Sequence, residues 1–136
     1  MNRVLRNGFT LLELMVTVVI LSILATIAYP SYMGQVQKTR RVDGKAAVLE
    51  VAMAEEQYYT RNKAYTNSLS ALSIDATLRG GTSKEGYYTL TLTRPTTTTF
   101  TITATATGSQ ANDTDCATMT MNQIGEQTSS SSSECW

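Results

Sequence analysis

The sequence contains no histidine, and only 16% of its 136 residues are charged. Without histidine there is no imidazole for acid–base or nucleophilic catalysis, or for most zinc sites. The 11 basic and 11 acidic residues cancel to a formal net charge of zero, which gives no support to a polybasic nucleic-acid partner. These absences make an enzyme the least favoured class, and we expect neither a cofactor nor a metal site.

One long apolar run stands near the start of the sequence. Its polar side chains are Thr10, Glu13, Thr17, Ser22 and Thr26, within residues 9–28. As a helix at about 1.5 Å per residue the run is about 30 Å long, the thickness of the hydrocarbon core of a bilayer. Arg3 and Arg6 precede the run, and positive residues favour the cytoplasmic side of a membrane. The run therefore predicts a membrane-spanning helix that starts in the cytoplasm.

Two simpler interpretations of this run are a secretory signal peptide cut near Ala28 and a plain membrane anchor. The run is longer than the apolar part of an ordinary signal peptide, which has about 7–15 residues. Neither interpretation explains Glu13, because a carboxylate in hydrocarbon costs about 2.5–3.5 kcal/mol on insertion scales. Glu13 is therefore a candidate functional residue.

The residues around Glu13 match a known signal. Gly8-Phe-Thr-Leu-Leu-Glu13-Leu-Met-Val, followed by Ala28-Tyr-Pro30-Ser-Tyr32, resembles the class III signal of type IV pilins and pseudopilins. The resemblance implies that prepilin peptidase removes residues 1–8 as a leader, cutting between Gly8 and Phe9. It also implies that the new N-terminal Phe9 is methylated and that Glu13 directs assembly with other pilin subunits.

The same resemblance implies a location and a set of partners. The chain would cross the inner membrane once and then join a surface pilus, with its head in the periplasm and later outside the cell. Its partners would be the prepilin peptidase/methyltransferase, the inner-membrane assembly platform and other subunits. Cleavage leaves a cationic amine at Phe9 within the apolar layer. Because Glu13 of a neighbouring subunit would neutralise that amine, lateral docking is favoured over an unpaired charge.

Pro30 and Gly34 come at the end of the apolar segment, which we assign to residues 9–34. Proline removes a helical hydrogen bond and clashes with the preceding turn, so that it kinks or ends a helix. On the residues alone, the membrane helix ends or bends here. The resemblance implies a bend or an extended patch within one long helix.

Residues 35–136 are predicted to form a globular head that begins with an amphipathic helix over residues 35–60. We place its apolar stripe against the core, with the charged side chains from Lys38 to Glu50 on the solvent side. The stripe consists of Val42, Ala46, Leu49 and Met53, widened by Val48 and Ala52.

Three later segments alternate between threonine and apolar residues, at 88–93, 100–106 and 117–121. Such alternation predicts antiparallel strands with one apolar face. Arg94-Pro95 and the threonines that follow are expected to turn the chain between the first two. That face has to be covered, and the amphipathic helix is the candidate cover. The fold class is therefore α+β: a long N-terminal helix, half membrane-spanning and half amphipathic, packed on an antiparallel sheet of three or four strands. This is also the pilin fold.

The rest of the head is predicted to be loops. Residues 61–86 show little regular pattern, and we expect Tyr58, Tyr59 and Tyr65 to pin this loop to the domain, with a sugar-binding aromatic platform as the alternative. Cys116 and Cys135 allow one disulfide, which would persist in the periplasm and fix the serine-rich tail and Trp136. A disulfide-closed C-terminal loop is also what the resemblance implies.

The main functional interpretation is a structural subunit of a type IV pilus, similar to minor pilins of the PilE/ComP-like group, which serve pilus biogenesis, twitching motility, adhesion or DNA uptake. One alternative is a DNA-binding competence pilin. Its candidate contacts would be Arg61, Lys63, Arg79, Lys84 and Arg94. Another alternative is a type II secretion pseudopilin, although the terminal cysteine pair favours the pilus. The oxygen ligands in residues 112–115 are a weak calcium motif, for which a solvated loop is the favoured interpretation.

Overall fold

A computed structural model describes residues 8–131 and 133–136 of the chain. Residues 1–7 of the predicted leader, with Arg3 and Arg6, lie outside the described residues, as does one residue of the serine run. The chain divides into two units, Met1–Val36 and Gln37–Trp136. The second of these units holds the sheet and its core.

Helix α1 covers Leu11–Asn62. It begins where the Thr10 hydroxyl oxygen accepts a hydrogen bond from the backbone N–H of Glu13, at 3.2 Å, which satisfies one of the unpaired N–H groups of a helix N-terminus. Pro30 lies inside α1, and the helix continues through Gly34. A bend at Pro30 stays a prediction.

The head contains a four-stranded antiparallel sheet in the order β1-β2-β3-β4. The strands are β1 (Tyr88–Thr96), β2 (Thr99–Ala106), β3 (Thr118–Asn122) and β4 (Gln127–Ser129). Threonines pair across the strands, as in Thr91 with Thr103 and Thr103 with Thr120. The three predicted strands and their alternation are thus confirmed, and β4 is the fourth strand.

The turn between β1 and β2 is shorter than the sequence predicts. The chain reverses at Thr97 and Thr98, which are among the threonines of the predicted turn, whereas Arg94 and Pro95 belong to β1. The pairing register shifts between Thr93 and Thr96. A local irregularity of this kind accommodates a proline within a strand, because proline cannot donate to the hydrogen-bond ladder.

The core lies between the sheet and one face of α1. The buried helix residues are Arg41, Gly44, Ala47, Val48, Val51, Ala54 and Glu55. They pack with the inward side chains of the strands, among which Tyr88, Ile102 and Met119 are fully buried. Alternate strand residues therefore face α1 and leave the threonines outward.

The predicted core stripe of α1 is wrong for four of its six residues; Val48 is buried, and Ala52 is partly buried against the core. The side chains of Val42, Leu49 and Met53 are 61%, 44% and 61% exposed, and Ala46 is exposed as well. We call these four residues the outer stripe. The helix turns a different face to the sheet, because that face carries Gly44, whose missing side chain permits close approach. A Cβ at Gly44 would meet Met119 Cε and would lie 2.9 Å from Tyr88 Cδ2.

The connection from α1 to β1 is more regular than predicted. It contains a 3₁₀ turn, Leu69–Ala71, and a short helix α2, Ala76–Arg79. Asp75 caps α2 by accepting the backbone N–H of Thr77 at 2.9 Å. Leu72 and Leu78 are buried, and they anchor a segment whose polar composition had indicated a loop.

The C-terminal segment is held by the disulfide between Cys116 and Cys135, both of which are fully buried. Short 3₁₀ turns, Gly108–Asn112, Thr114–Cys116 and Ser133–Cys135, flank these cysteines. The indole N–H of Trp136 donates to the carbonyl oxygen of Thr128 at 2.9 Å. The last residue of the chain is thus fixed against β4.

Candidate functional site

The described part of the N-terminal unit presents an exposed apolar surface. Every residue from Gly8 to Tyr32 is exposed, and the side chain of Phe9 is 72% exposed. A segment of α1 is long and apolar enough to cross a membrane. Contiguous apolar surface of this extent marks contact with a membrane or with another protein.

The hydroxyl groups within this apolar segment are paired inside the helix. Thr17, Ser22 and Thr26 each donate to the carbonyl oxygen three residues earlier, at 2.8, 2.7 and 2.7 Å. Hydrocarbon offers no partner for a polar group, so internal pairing lowers the cost of burying these side chains. In the sequence alone, these residues are only interruptions of the apolar run.

Glu13 remains as the charged group of this segment. It is exposed in the first turn of α1, and its carboxylate makes no ion pair or hydrogen bond with the part of the chain that is described. Its backbone is fixed by the Thr10 cap, which the sequence analysis missed although Thr-x-x-Glu is a helix-start signature. The arrangement offers a positioned, unpaired carboxylate to a cation from outside the chain.

The five candidate DNA contacts of the head fall into two places. Arg61 lies in the last turn of α1, Lys63 follows it, and Arg94 Nη1 donates to the carbonyl oxygen of Tyr65 at 3.2 Å. The structure therefore brings these three cations toward the end of α1.

Arg79 and Lys84 lie elsewhere on the head, where both act electrostatically on Asp75. Lys84 Nζ is 2.7 Å from the Glu50 carboxylate, and this hydrogen bond raises the pKa of Lys84. Its charge is thereby partly offset within the chain, which makes it the weakest of the five candidates for binding an anion.

Arg40 is a further cationic side chain of the head, and it is half-buried. The guanidinium of Arg40 lies 4.6 Å from the ring centroid of Tyr87, and its Nη1 donates to the Ser109 hydroxyl at 2.8 Å. A cation over an aromatic face is held by the ring quadrupole. The sequence separates Arg40 from Tyr87 so widely that no local pattern could have indicated this contact.

The weak calcium motif at residues 112–115 has another role, and the expectation of a solvated loop is wrong for Asp113. That side chain is buried and forms an ion pair with Arg41. Within residues 8–131 and 133–136, no cluster of three or more histidine, cysteine, aspartate or glutamate side chains could hold a metal ion.

Several known proteins are similar to this chain in sequence. Type II secretion system core protein G of Pseudomonas aeruginosa is 36% identical over 53% of this chain and 51% of that protein. Core protein G of Klebsiella michiganensis is 32% identical over 65% of this chain and 62% of that protein. Fimbrial protein Q of Moraxella bovis is 34% identical over 58% and 53%. The chain thus spans little more than half the length of these curated relatives.

Two solved structures share the fold. A type IV pilin from Shewanella oneidensis superposes with a TM-score of 0.53 at 24% identity, covering 74% of this chain and 97% of that one. The non-core minor pilin PilV of Neisseria meningitidis gives a TM-score of 0.52 at 20% identity, covering 73% and 91%. The long helix on an antiparallel sheet is therefore the fold of type IV pilins.

Two family models match the sequence. The prokaryotic N-terminal methylation motif matches residues 4–29. The model described as type IV minor pilin ComP, DNA uptake sequence receptor, matches residues 30–120, which is more than half of the chain. With its methylation motif, its apolar helix and its pilin fold, the chain belongs to this family of type IV minor pilins.

Proposed function

We propose that this minor pilin becomes part of a type IV pilus through residues 9–34, after its leader, residues 1–8, has been removed and Phe9 methylated. The observation that carries the proposal is the exposed apolar segment of α1 with the unpaired carboxylate of Glu13 in its first turn. The methylation motif that covers this region supports processing by prepilin peptidase.

Glu13 favours association of the apolar segment with that of a neighbouring subunit, in a defined register. Cleavage before Phe9 creates an amine four positions ahead of Glu13, which becomes the fifth residue of the processed chain. An isolated carboxylate in hydrocarbon is costly, whereas a carboxylate paired with a cation is much less so. A neighbouring subunit whose N-terminal amine reaches Glu13 removes both unpaired charges and sets the axial offset between the two helices.

Before assembly, the subunit would be held in the inner membrane by the same segment, with residues 35–136 on the periplasmic side. The disulfide between Cys116 and Cys135 supports this orientation, because such bonds persist in the oxidising periplasm. The inner-membrane assembly platform would then transfer the subunit to a filament that displays the head on the cell surface.

Mass spectrometry of the N-terminus in pili sheared from whole cells tests this proposal. We expect a chain that begins at methylated Phe9 and is present in the sheared fraction. A chain that begins near Tyr29 would identify an ordinary secreted domain. Two results together would identify a pseudopilin of the kind that the core protein G relatives suggest. The methylated chain would be absent from the sheared material, and deletion of its gene would cause a secretion defect.

The role of Glu13 is tested by Glu13→Ala, with Glu85→Ala as the control. Glu85 is an exposed carboxylate of the head, so its removal changes the net charge by the same amount away from the membrane segment. We expect Glu13→Ala to be inserted and cleaved but to be missing from sheared pili, while Glu85→Ala is incorporated normally. Normal incorporation of Glu13→Ala would overturn the docking argument.

We also propose that the head binds DNA, a second function that the description of the matching family favours. The surface that best supports it is the group of Arg61, Lys63 and Arg94, because these cations lie toward one end of the head and none of them has an ion-pair partner in the described chain. Cations of this kind bind phosphates, and release of counterions makes such binding sensitive to salt.

The DNA proposal is tested by filter binding with the full chain in detergent at two salt concentrations. We expect duplex DNA to bind at low salt and binding to weaken when Arg61→Gln, Lys63→Gln and Arg94→Gln are combined. Lys84→Gln is the control, since Lys84 is already paired with Glu50. Absence of salt-sensitive binding at micromolar protein would refute a DNA-binding head and leave the pilus proposal intact.

A further inference from the structure

Residues 63–68, which we call the strap, fasten the end of α1 to the β1–β2 turn. The backbone N–H of Lys63 donates to the carbonyl oxygen of Tyr59 at 2.7 Å. Two residues later, the N–H of Tyr65 donates to the carbonyl oxygen of Thr97 at 2.9 Å. The strap is therefore held at one end by the helix and in its middle by the turn.

Glu55 of α1 holds the strap through a hydrogen bond to Thr66, and this carboxylate is unusual in being fully buried. The side chain is 0% exposed. Oε2 accepts the backbone N–H of Thr66 at 3.1 Å, whereas Oε1 has no hydrogen-bond partner in the described structure. A buried ion with half of its acceptor capacity unused is expensive, because it has lost its water without full replacement.

The groups around Glu55 do not compensate for this cost. Glu56 is the next residue of α1 and accepts the Tyr65 phenol at 2.8 Å. Arg94 approaches from β1, but its guanidinium donates to the Tyr65 carbonyl. Burial raises the pKa of Glu55, and the nearby charge of Glu56 adds to this effect; the Thr66 N–H and Arg94 act in the opposite direction without cancelling it.

Tyr65 anchors the strap to the core. Its ring lies edge-on to Phe100, with centroids 4.6 Å apart, and is tilted against Tyr59 at the same distance. If the strap left α1, the Thr66 N–H would withdraw from Glu55 and the buried carboxyl would meet water. The charge of Glu55 would then be coupled to the position of the strap.

We propose that Glu55 is a proton-operated latch: its neutral carboxyl holds the strap closed on α1, and loss of the proton to solvent favours an opened strap. The sign follows from linkage. Because the closed state binds the proton more tightly than the open state, the stability of the closed strap is complete below the ordinary glutamate pKa of about 4.3 and is lost as pH rises through the higher pKa of the closed state. Lower pH therefore favours the closed strap, and higher pH favours the open one.

The latch is tested by NMR on the full chain, labelled with ¹⁵N and ¹³C in detergent micelles. We expect the Glu55 carboxyl carbon and the Thr66 amide to titrate together, above the ordinary glutamate range. We also expect the opening constant from hydrogen exchange of Tyr65 and Thr66 to rise by up to tenfold per pH unit in that interval, after correction for intrinsic exchange.

Glu55→Gln and Glu56→Gln form the matched pair of variants. Glu55→Gln should remove the pH dependence of strap opening, and Glu56→Gln should retain it. If exchange of Tyr65 and Thr66 keeps its pH dependence in Glu55→Gln, the latch is wrong. Should Glu55→Gln fail to fold, the wild-type carboxyl titration decides alone: a Glu55 that titrates near 4.3 overturns the proposal.

Discussion

Arg41 and Asp113 form a two-pronged ion pair inside the head, although 72 positions separate them in the sequence. Arg41 Nε lies 2.7 Å from Asp113 Oδ2, and Nη2 lies 2.8 Å from Oδ1. Gln110 Nε2 donates to the same carboxylate at 3.0 Å and to the carbonyl oxygen of Gln37 at 3.2 Å. These contacts tie the segment between β2 and β3 to α1, just ahead of the disulfide.

We expect Asp113→Asn to lower the free energy of unfolding of the head by about 3–5 kcal/mol, because it leaves the Arg41 guanidinium buried and uncompensated. The double variant Arg41→Met/Asp113→Leu removes both charges and should recover most of that loss. Urea unfolding followed by the fluorescence of Trp136 measures both. Equal losses in the single and double variants would mean that packing, and not the unpaired charge, is what Asp113→Asn disturbs.

The strands could be predicted from the sequence because their alternation is local, whereas the buried face of α1 could not. On a helical wheel, Val42 and Met53 have the more apolar pattern, yet the sheet covers the face with Gly44, Arg41 and Glu55. The decision depends on partners far along the chain: Tyr88 and Met119 need the space at Gly44, and Asp113 neutralises Arg41. The hydropathy pattern of α1 alone cannot indicate either of these long-range contacts.

Gly44→Ala and Gly34→Ala test this close approach as a matched pair within α1. A Cβ at Gly44 would lie 2.9 Å from Tyr88 Cδ2, whereas one at Gly34 has nothing within 4 Å. We expect Gly44→Ala to destabilise the head by about 1–3 kcal/mol through overpacking. Gly34→Ala should leave the head unchanged while favouring local helix by up to about 1 kcal/mol. Urea midpoints and helical circular dichroism distinguish the two, and a stable Gly44→Ala head would contradict the packing argument.

The disulfide gives a third prediction. Cys116 and Cys135 enclose a loop with a sequence separation of 19, so that the chain-entropy model assigns the bond about 3 kcal/mol. Reduction in the folded state should lower the urea midpoint accordingly and red-shift the emission of Trp136, whose indole is held against Thr128. The double variant Cys116→Ala/Cys135→Ala should behave like the reduced protein and be insensitive to reductant. A midpoint that does not respond to reductant would show that the serine-rich loop is ordered without the bond.

For residues 9–34, the sequence names candidate residues, whose roles in assembly stay predictions, but not the contacts around them. Phe9 and Glu13 stand in a contiguous motif, so one pattern names both. The Thr10 cap and the paired hydroxyls of Thr17 and Ser22 are equally local, and helix-start rules could have found the cap. The cations of the head are different, because Arg94 reaches Tyr65 only through the hairpin. Tertiary contacts of that kind cannot be predicted from the spacing of residues in the sequence.

The outer stripe of α1 is an exposed apolar surface on which another helix could pack. Val42, Leu49 and Met53 are 61%, 44% and 61% exposed, and with Ala46 they are spaced by four, three and four residues, the spacing of a helix–helix seam. If residues 9–34 bring subunits together, this face is placed to pack against a neighbouring helix. We expect Leu49→Glu and Met53→Glu to change the unfolding free energy of the head by less than about 0.5 kcal/mol, since both sites are exposed.

The same two variants should be depleted from sheared pili, because a charge in an apolar seam has no partner there. Ile124→Glu is the control, because Ile124 is 76% exposed in the β3–β4 turn. This substitution also replaces an exposed apolar side chain with a negative charge, but away from α1. Quantitative mass spectrometry of the sheared fraction, normalised to the cellular amount of each variant, provides the comparison. Depletion of Leu49→Glu and Met53→Glu with normal Ile124→Glu assigns the stripe to subunit contacts. Equal incorporation of all three would show that the stripe faces solvent in the filament and that assembly depends on the N-terminal segment alone.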